Sequence, residues 1–115
     1  MKPFEELKQA EDLLQEYKPS GDEELDYRQL LALLAQERVL DMCRIDMLKK
    51  YKHGSGRSKN YMYREYMVRH KISEFALKLD KKVTDKITGE NPEEKSVVAM
   101  YVKNRELYPK PVRKK

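Results

Sequence analysis

Apolar residues recur along this chain at the spacing of helices rather than strands. Phe4, Leu7, Ala10, Leu14 and Tyr17 fall on one face, with Glu and Lys between them, which predicts a first helix from about Pro3 to Tyr17. Pro3 suits the opening turn, and Glu5 and Glu6 suit the positive end of the helix dipole. Lys18-Pro19-Ser20-Gly21 closes it. Ser20-Gly21-Asp22-Glu23 has the S-x-x-E form of a capping box, which places the start of a second helix near Asp22. That helix meets no breaker until about Lys52, roughly 30 residues and about 45 Å at 1.5 Å per residue. Its centre, Leu30 to Ala35, is apolar all round, as expected of a helix touched on several sides. Val39, Leu40, Met42, Cys43, Ile45, Met47, Leu48 and Tyr51 continue the stripe.

His53 to Asn60, with Gly54 and Gly56, reads as a loop. A third helix is expected from near Asn60 to Gly89, with Tyr63, Met67, His70, Phe75, Leu79, Val83 and Ile87 as its packing face. Asn91-Pro92-Glu93-Glu94 combines a cap, a first-turn proline and first-turn acids. It predicts a fourth helix with Val97, Val98, Tyr101 and Leu107 on its apolar side, ended by Pro109 and Pro111. The expected fold class is all-α: one domain over residues 1–108, dominated by a long antiparallel hairpin of helices two and three, and an extended basic tail over 109–115. A compact chain of this length has a radius of gyration of about 13 Å, too small to enclose two helices of that length. The hairpin tip should therefore project, with helices one and four packed at the end distant from the loop, unless a kink folds the tip back.

Composition narrows the class. Charged residues are 39% of the 115, well above the usual ~25%. No apolar run approaches the roughly 20 residues of a membrane span, and no apolar stretch follows the first charges as a secretory signal would. A single cysteine excludes an internal disulfide. Four glycines and five prolines argue against a many-turned β sandwich. These features lead to the expectation of a cytoplasmic protein without membrane association.

The charge is polarised along the chain. Residues 1–48 hold 12 acids and 6 bases, whereas residues 49–115 hold 8 acids and 19 bases. The densest stretch, Lys49 to Lys71, carries eight bases against one acid, and Lys110 to Lys115 adds four bases. Such a field suits a polyanion, and nucleic acid is the obvious one; the plainer reading is a solvated lysine-rich surface. Within Tyr61 to Lys71, tyrosines could stack on unpaired bases while arginines hold phosphates, or the same residues could pack a core with their charges at its edge. The expected binding residues are Lys49, Lys50, Lys52, Arg57, Lys59, Tyr61, Arg64, Arg69 and Lys71 at the tip, with Arg113, Lys114 and Lys115 in the tail.

Catalytic and metal chemistry find little footing. Cys43 sits inside an apolar stripe, as a structural thiol does. There is no G-x-S-x-G elbow, C-x-x-C or H-E-x-x-H. His70 with Glu74, and Glu37 with Asp41, are four apart, but two ligands do not close a site. The glycine-bearing loop lacks the G-x-x-x-x-G-K-[ST] spacing of a nucleotide-triphosphate loop. The expectation is a non-enzymatic protein without cofactor or metal that binds DNA or RNA through phosphates, with little base readout. The alternative is an adaptor or inhibitor docking on a protein, a nucleoprotein or a second copy of the chain through its Met/Tyr-rich arm. In that case the basic cluster would pair with the acidic stretch Asp22–Asp26 of a neighbour. Removal of residues 109–115 should leave the helical circular-dichroism signal unchanged; a loss of helix would mean that the tail is packed.

Overall fold

Two extended residues, Leu79 and Asp80, divide what the pattern presents as one long third helix. The computed structural model describes residues 2–51 and 54–103. They form α1 (Pro3–Glu16), α2 (Glu23–Lys50), α3 (Gly56–Lys78), α4 (Lys81–Glu90) and α5 (Lys95–Val102), the last entered through a 3-10 turn over Pro92–Glu94. No strand occurs among the described residues. The described residues thus hold five α-helices rather than the four expected. The extra boundary lies at Asp80, whose carboxylate accepts a hydrogen bond from the Lys82 amide at 2.9 Å and caps α4. A capping aspartate without glycine or proline beside it is a quiet stop signal.

The remaining ends follow their local chemistry. Asp22, not Ser20, is the N-cap of α2 and accepts from the Leu25 amide, so the capping box does not form. Ser20 instead joins a small staple on Asp26. The Asp26 carboxylate is buried and accepts from the Ser20 amide and hydroxyl, both at 2.8 Å, and from the Gly21 amide at 3.1 Å. Gln29 completes it by bonding Lys18 through both ends of its amide. Gly21 holds φ +85°, a conformation other residues adopt at a cost. Ser55 caps α3, which starts at Gly56, one turn before the expected Asn60.

This tight connection decides where α1 goes. A short link between helices makes them neighbours lying alongside each other, so α1 runs back along α2 and also packs on α3. Gln36 Nε2 donates to the Glu6 carbonyl at 3.0 Å, and Phe4 meets Tyr61 edge-on, with centroids 5.8 Å apart at 89°. The start of α1 therefore lies where α2 ends and α3 begins. Helix one, expected at the end distant from the loop, instead reaches the tip, which has a third helix against it. Helix α2 packs against α1, α3 and α4, and α5 packs on α3 and α4. The molecule measures 48 × 30 × 26 Å with a radius of gyration of 15.3 Å, more elongated than a ball of this length.

The core runs through Leu7, Leu30, Leu33, Leu40, Cys43, Met47, Tyr61, Val68, Ile72, Phe75, Val83, Ile87 and Val98. The packing face of α3 follows the expected one only in part: Phe75 is buried, as are Leu79, Val83 and Ile87 beyond it, and Met67 is half-buried. Tyr63 is 66% exposed and His70 is exposed, while Tyr61, Glu65, Val68, Ile72, Phe75 and Ala76 face inward. The inward stripe carries a glutamate at its centre, which makes it read as a solvent face until its partners are known.

Replacing Asp26 with Ala should lower stability by about 1–3 kcal/mol, the usual cost of leaving buried amides without acceptors. Urea denaturation checks this; an unchanged midpoint would mean that packing alone holds the α1–α2 connection.

Candidate functional site

The start of α1, the last turn of α2 and the first turn of α3 enclose a groove of about 560 Å³. Its cations are Lys2, Lys49, Lys50 and Arg57, and its aromatic walls are Phe4 and Tyr51. Glu5 and Asp46 also line it, above a floor that includes Met47. Gly54, at φ +88°, turns the chain into α3, and the Ser55 cap sets Arg57 as the second residue of that helix. The Arg57 guanidinium carbon lies 4.7 Å from the Phe4 ring centre and 5.4 Å from that of Tyr51. Lys50 Nζ lies 5.6 Å from the Tyr51 ring. Each distance is within cation–π range. Phe4 and Tyr51 are half-buried, while Arg57, Lys49 and Lys50 are exposed.

The sequence-predicted residues divide into three groups. Lys49, Lys50, Arg57, Lys59 and Lys71 are exposed. Lys71 borders a separate groove beside Lys8, Glu11 and Asp12, so it does not belong to the tip. Tyr61, Arg64 and Arg69 are committed inside the molecule. Tyr61 is fully buried, and its hydroxyl donates to the Leu40 carbonyl at 3.1 Å; burial pushes its phenol up from the ordinary value. The expectation of Tyr61 as a binding residue is overturned, because it lies on the buried face that carries Val68 and Ile72. Arg64 forms a two-pronged bond to Glu11 of α1, at 3.1 and 2.5 Å, and that bond raises its pKa. Lys52, Arg113, Lys114 and Lys115 lie outside the described residues.

Arg69 is the most committed of all. It donates to Glu65 at 3.1 and 2.7 Å, to Glu37 at 2.7 Å, and to Asp41. Arg44 reaches Glu65 at 3.3 Å and Asp41 at 3.1 Å. The Tyr101 hydroxyl of α5 donates to the second oxygen of Glu37, and Arg38 pairs with Glu94 at the entry to α5. The Glu37 and Glu65 side chains are only 4% and 3% exposed. Burial opposes the charge of Arg69, yet its bonds to Glu65 and Asp41 and the charge of Glu37 hold its pKa above the ordinary value. Burial also pushes Tyr101 up, and its bond to Glu37 adds to this. Three carboxylates share two guanidiniums here. Burial raises the pKa of Glu37, and the neighbouring Asp41 and Glu94 charges add to the shift against the pull of Tyr101 and Arg69.

Other chemistry is scarce. Cys43 is buried, which raises its thiol pKa. His70 Nε2 sits 2.7 Å from Glu74 on the outer face of α3. Glu37 and Asp41, four apart, are bridged by Arg69 rather than left open to a cation. Among the described residues no group of three or more His, Cys, Asp or Glu side chains is placed to hold a metal ion, and no helix is long and apolar enough to cross a membrane.

Lys2, Phe4 and Tyr51 are groove residues that the sequence reading missed as binding residues. The available signal was the short α1–α2 connection, which obliges Phe4 to lie near the far end of α2. No protein-family model matches the chain, and no curated protein and no solved structure is similar to it.

A raised pKa means that ionised Glu37 costs stability in the folded chain. Its contribution is full below the ordinary value of 4.5 and is lost as pH climbs through the raised native value. Across about pH 4 to 8 the stability advantage of the native chain over Glu37→Gln should therefore shrink. Melting temperatures of both proteins along that series check it; an advantage that grows with pH would show that the Arg69 attraction outweighs burial.

Proposed function

We propose that the protein is a non-enzymatic nucleic-acid-binding module of the cytoplasm whose tip holds the phosphate backbone of DNA or RNA with little base readout. In this reading α2 and α3 form a hairpin that presents the tip. The observation that supports it is the gathering of Lys2 at the start of α1, Lys49 and Lys50 of α2 and Arg57 of α3 around Phe4 and Tyr51, with exposed Lys59 two residues further along α3. Arg64 and Arg69 are not counted among the phosphate contacts, because carboxylates already occupy them. A second reading, docking on a protein or on a second copy, is supported by Met42, Ile45 and Leu48. These lie three apart along α2, each between 44% and 55% exposed, and exposed apolar stripes mark contact surfaces.

Fluorescence anisotropy with labelled oligonucleotides at two salt concentrations tests the first reading. A surface neutralising about five phosphates loses roughly several-hundredfold in affinity between about 50 and 200 mM salt. Lys49→Glu with Lys50→Glu should weaken binding at least about tenfold, since each cation replaced by an acid reverses a phosphate contact. The melting temperature should hold, because both side chains are exposed. Absence of binding at the lower salt would overturn this reading and leave the apolar stripe as the better guide.

A further inference from the structure

We infer that the groove takes an unpaired base of a single-stranded nucleic acid, set against the wall made by Arg57 and Tyr51, with the flanking phosphates on the lysine rim. This inference rests on the nucleic-acid reading above and names its strand class. The first argument is the mixed sign of the groove. Glu5 and Asp46 line it together with the four cations, and Lys2 lies 3.8 Å from Glu5. A phosphate inside would face two carboxylates and lose much of the attraction of the cations. An uncharged base meets no such repulsion. The carboxylates therefore direct the backbone outward to Lys49 and Lys50, both exposed, and leave the interior to the base.

The second argument is the shape of the wall. The Arg57 guanidinium is planar and lies against Phe4 and Tyr51 at 4.7 and 5.4 Å. Rings and guanidinium planes are the surfaces on which unpaired bases stack. Contact with two rings restrains Arg57 before any ligand arrives, so less side-chain freedom is lost on binding. In a duplex the faces of the bases are covered by their neighbours, and only the phosphates remain for the lysine rim. The groove therefore discriminates by strand type and not by sequence, because every base has a face to stack.

The test compares three labelled oligonucleotides of roughly twelve nucleotides, a length within the usual single-strand site range. They are a mixed-sequence single strand, its duplex, and a single strand of abasic units. The native chain should bind the plain single strand at least about tenfold more tightly than the other two, the order of one stacked base. Tyr51→Ala should remove that preference and leave duplex affinity unchanged. Arg57→Lys, which keeps the charge and loses the plane, should act in the same direction. Equal affinity for all three by the native chain, or equal losses on single strand and duplex in both variants, would overturn the stacked base and leave the phosphate reading standing. No binding of any of the three at about 50 mM salt would overturn the phosphate reading and the stacked base with it. Circular dichroism of both variants confirms that they are folded.

Discussion

Arg69 carries the architecture. A guanidinium among three carboxylates, two of them almost wholly buried, joins α2 to α3, and Glu37 passes the link to α5 through Tyr101. Burying ions costs several kcal/mol each, and the cost is offset only where hydrogen bonds are nearly complete. Here they are: among the described residues no buried side-chain nitrogen or oxygen lacks a partner. An apolar seam tolerates sliding by a turn, since one leucine resembles another. A charge cluster does not, because displacement leaves a carboxylate buried and alone, a loss of about 3–5 kcal/mol. The pairings of Arg44 with Glu65 and of Arg69 with Glu37 thus settle the register of α2 against α3. That register in turn brings Tyr51 opposite Arg57, which creates the tip groove.

The same pairings change the meaning of the polarised charge. An acidic first part and a basic second part suggest a strong external partner, yet much of the field closes on itself. Glu11 takes Arg64, and Glu37 and Asp41 take Arg69. Asp26, within the acidic stretch considered for a neighbouring copy, is buried on its own chain. The positive charge left at the tip is therefore smaller than the count between Lys49 and Lys71 suggests. It is also better placed, because α1 adds Lys2 and Phe4 to it. A surface with few cations around aromatic rings is suited to local contacts, whereas long-range steering needs a larger net field.

The helical class, the start of α1, the start of α2 near Asp22 and the burial of Cys43 were all legible in the pattern of residues. Each rests on a local signal or on a simple apolar stripe. Only the Phe75 end of the α3 packing face was legible, since Glu65 occupies the centre of the rest and Arg69 its edge. They pair with each other, but the rest of their neutralisation comes from Arg44, Glu37 and Asp41, more than twenty residues earlier in the chain. Periodicity weighs each residue by its own polarity and cannot see a partner that only folding supplies. The break at Asp80 was missed for a different reason: it rests on a single capping bond rather than on a residue that forbids helix. At the site, Lys49, Lys50 and Arg57 were legible from charge, whereas Phe4 required the length of the α1–α2 connection to be read as a constraint on topology.

Tyr61 shows how the fold and the groove are bound together. It reads as a stacking residue, but its ring is enclosed, its hydroxyl is held by Leu40, and the ring meets Phe4 in a T-shaped contact. Phe4 then carries Arg57. The chain of contact runs from the α2 backbone through Tyr61 and Phe4 to the guanidinium at the surface. A site built on such a support keeps its geometry without a ligand, whereas one formed by long lysines alone would have to be ordered on binding. The aromatic residues at the tip therefore divide their labour: buried Tyr61 holds Phe4 in place, and the half-buried Phe4 and Tyr51 flank Arg57 in the groove.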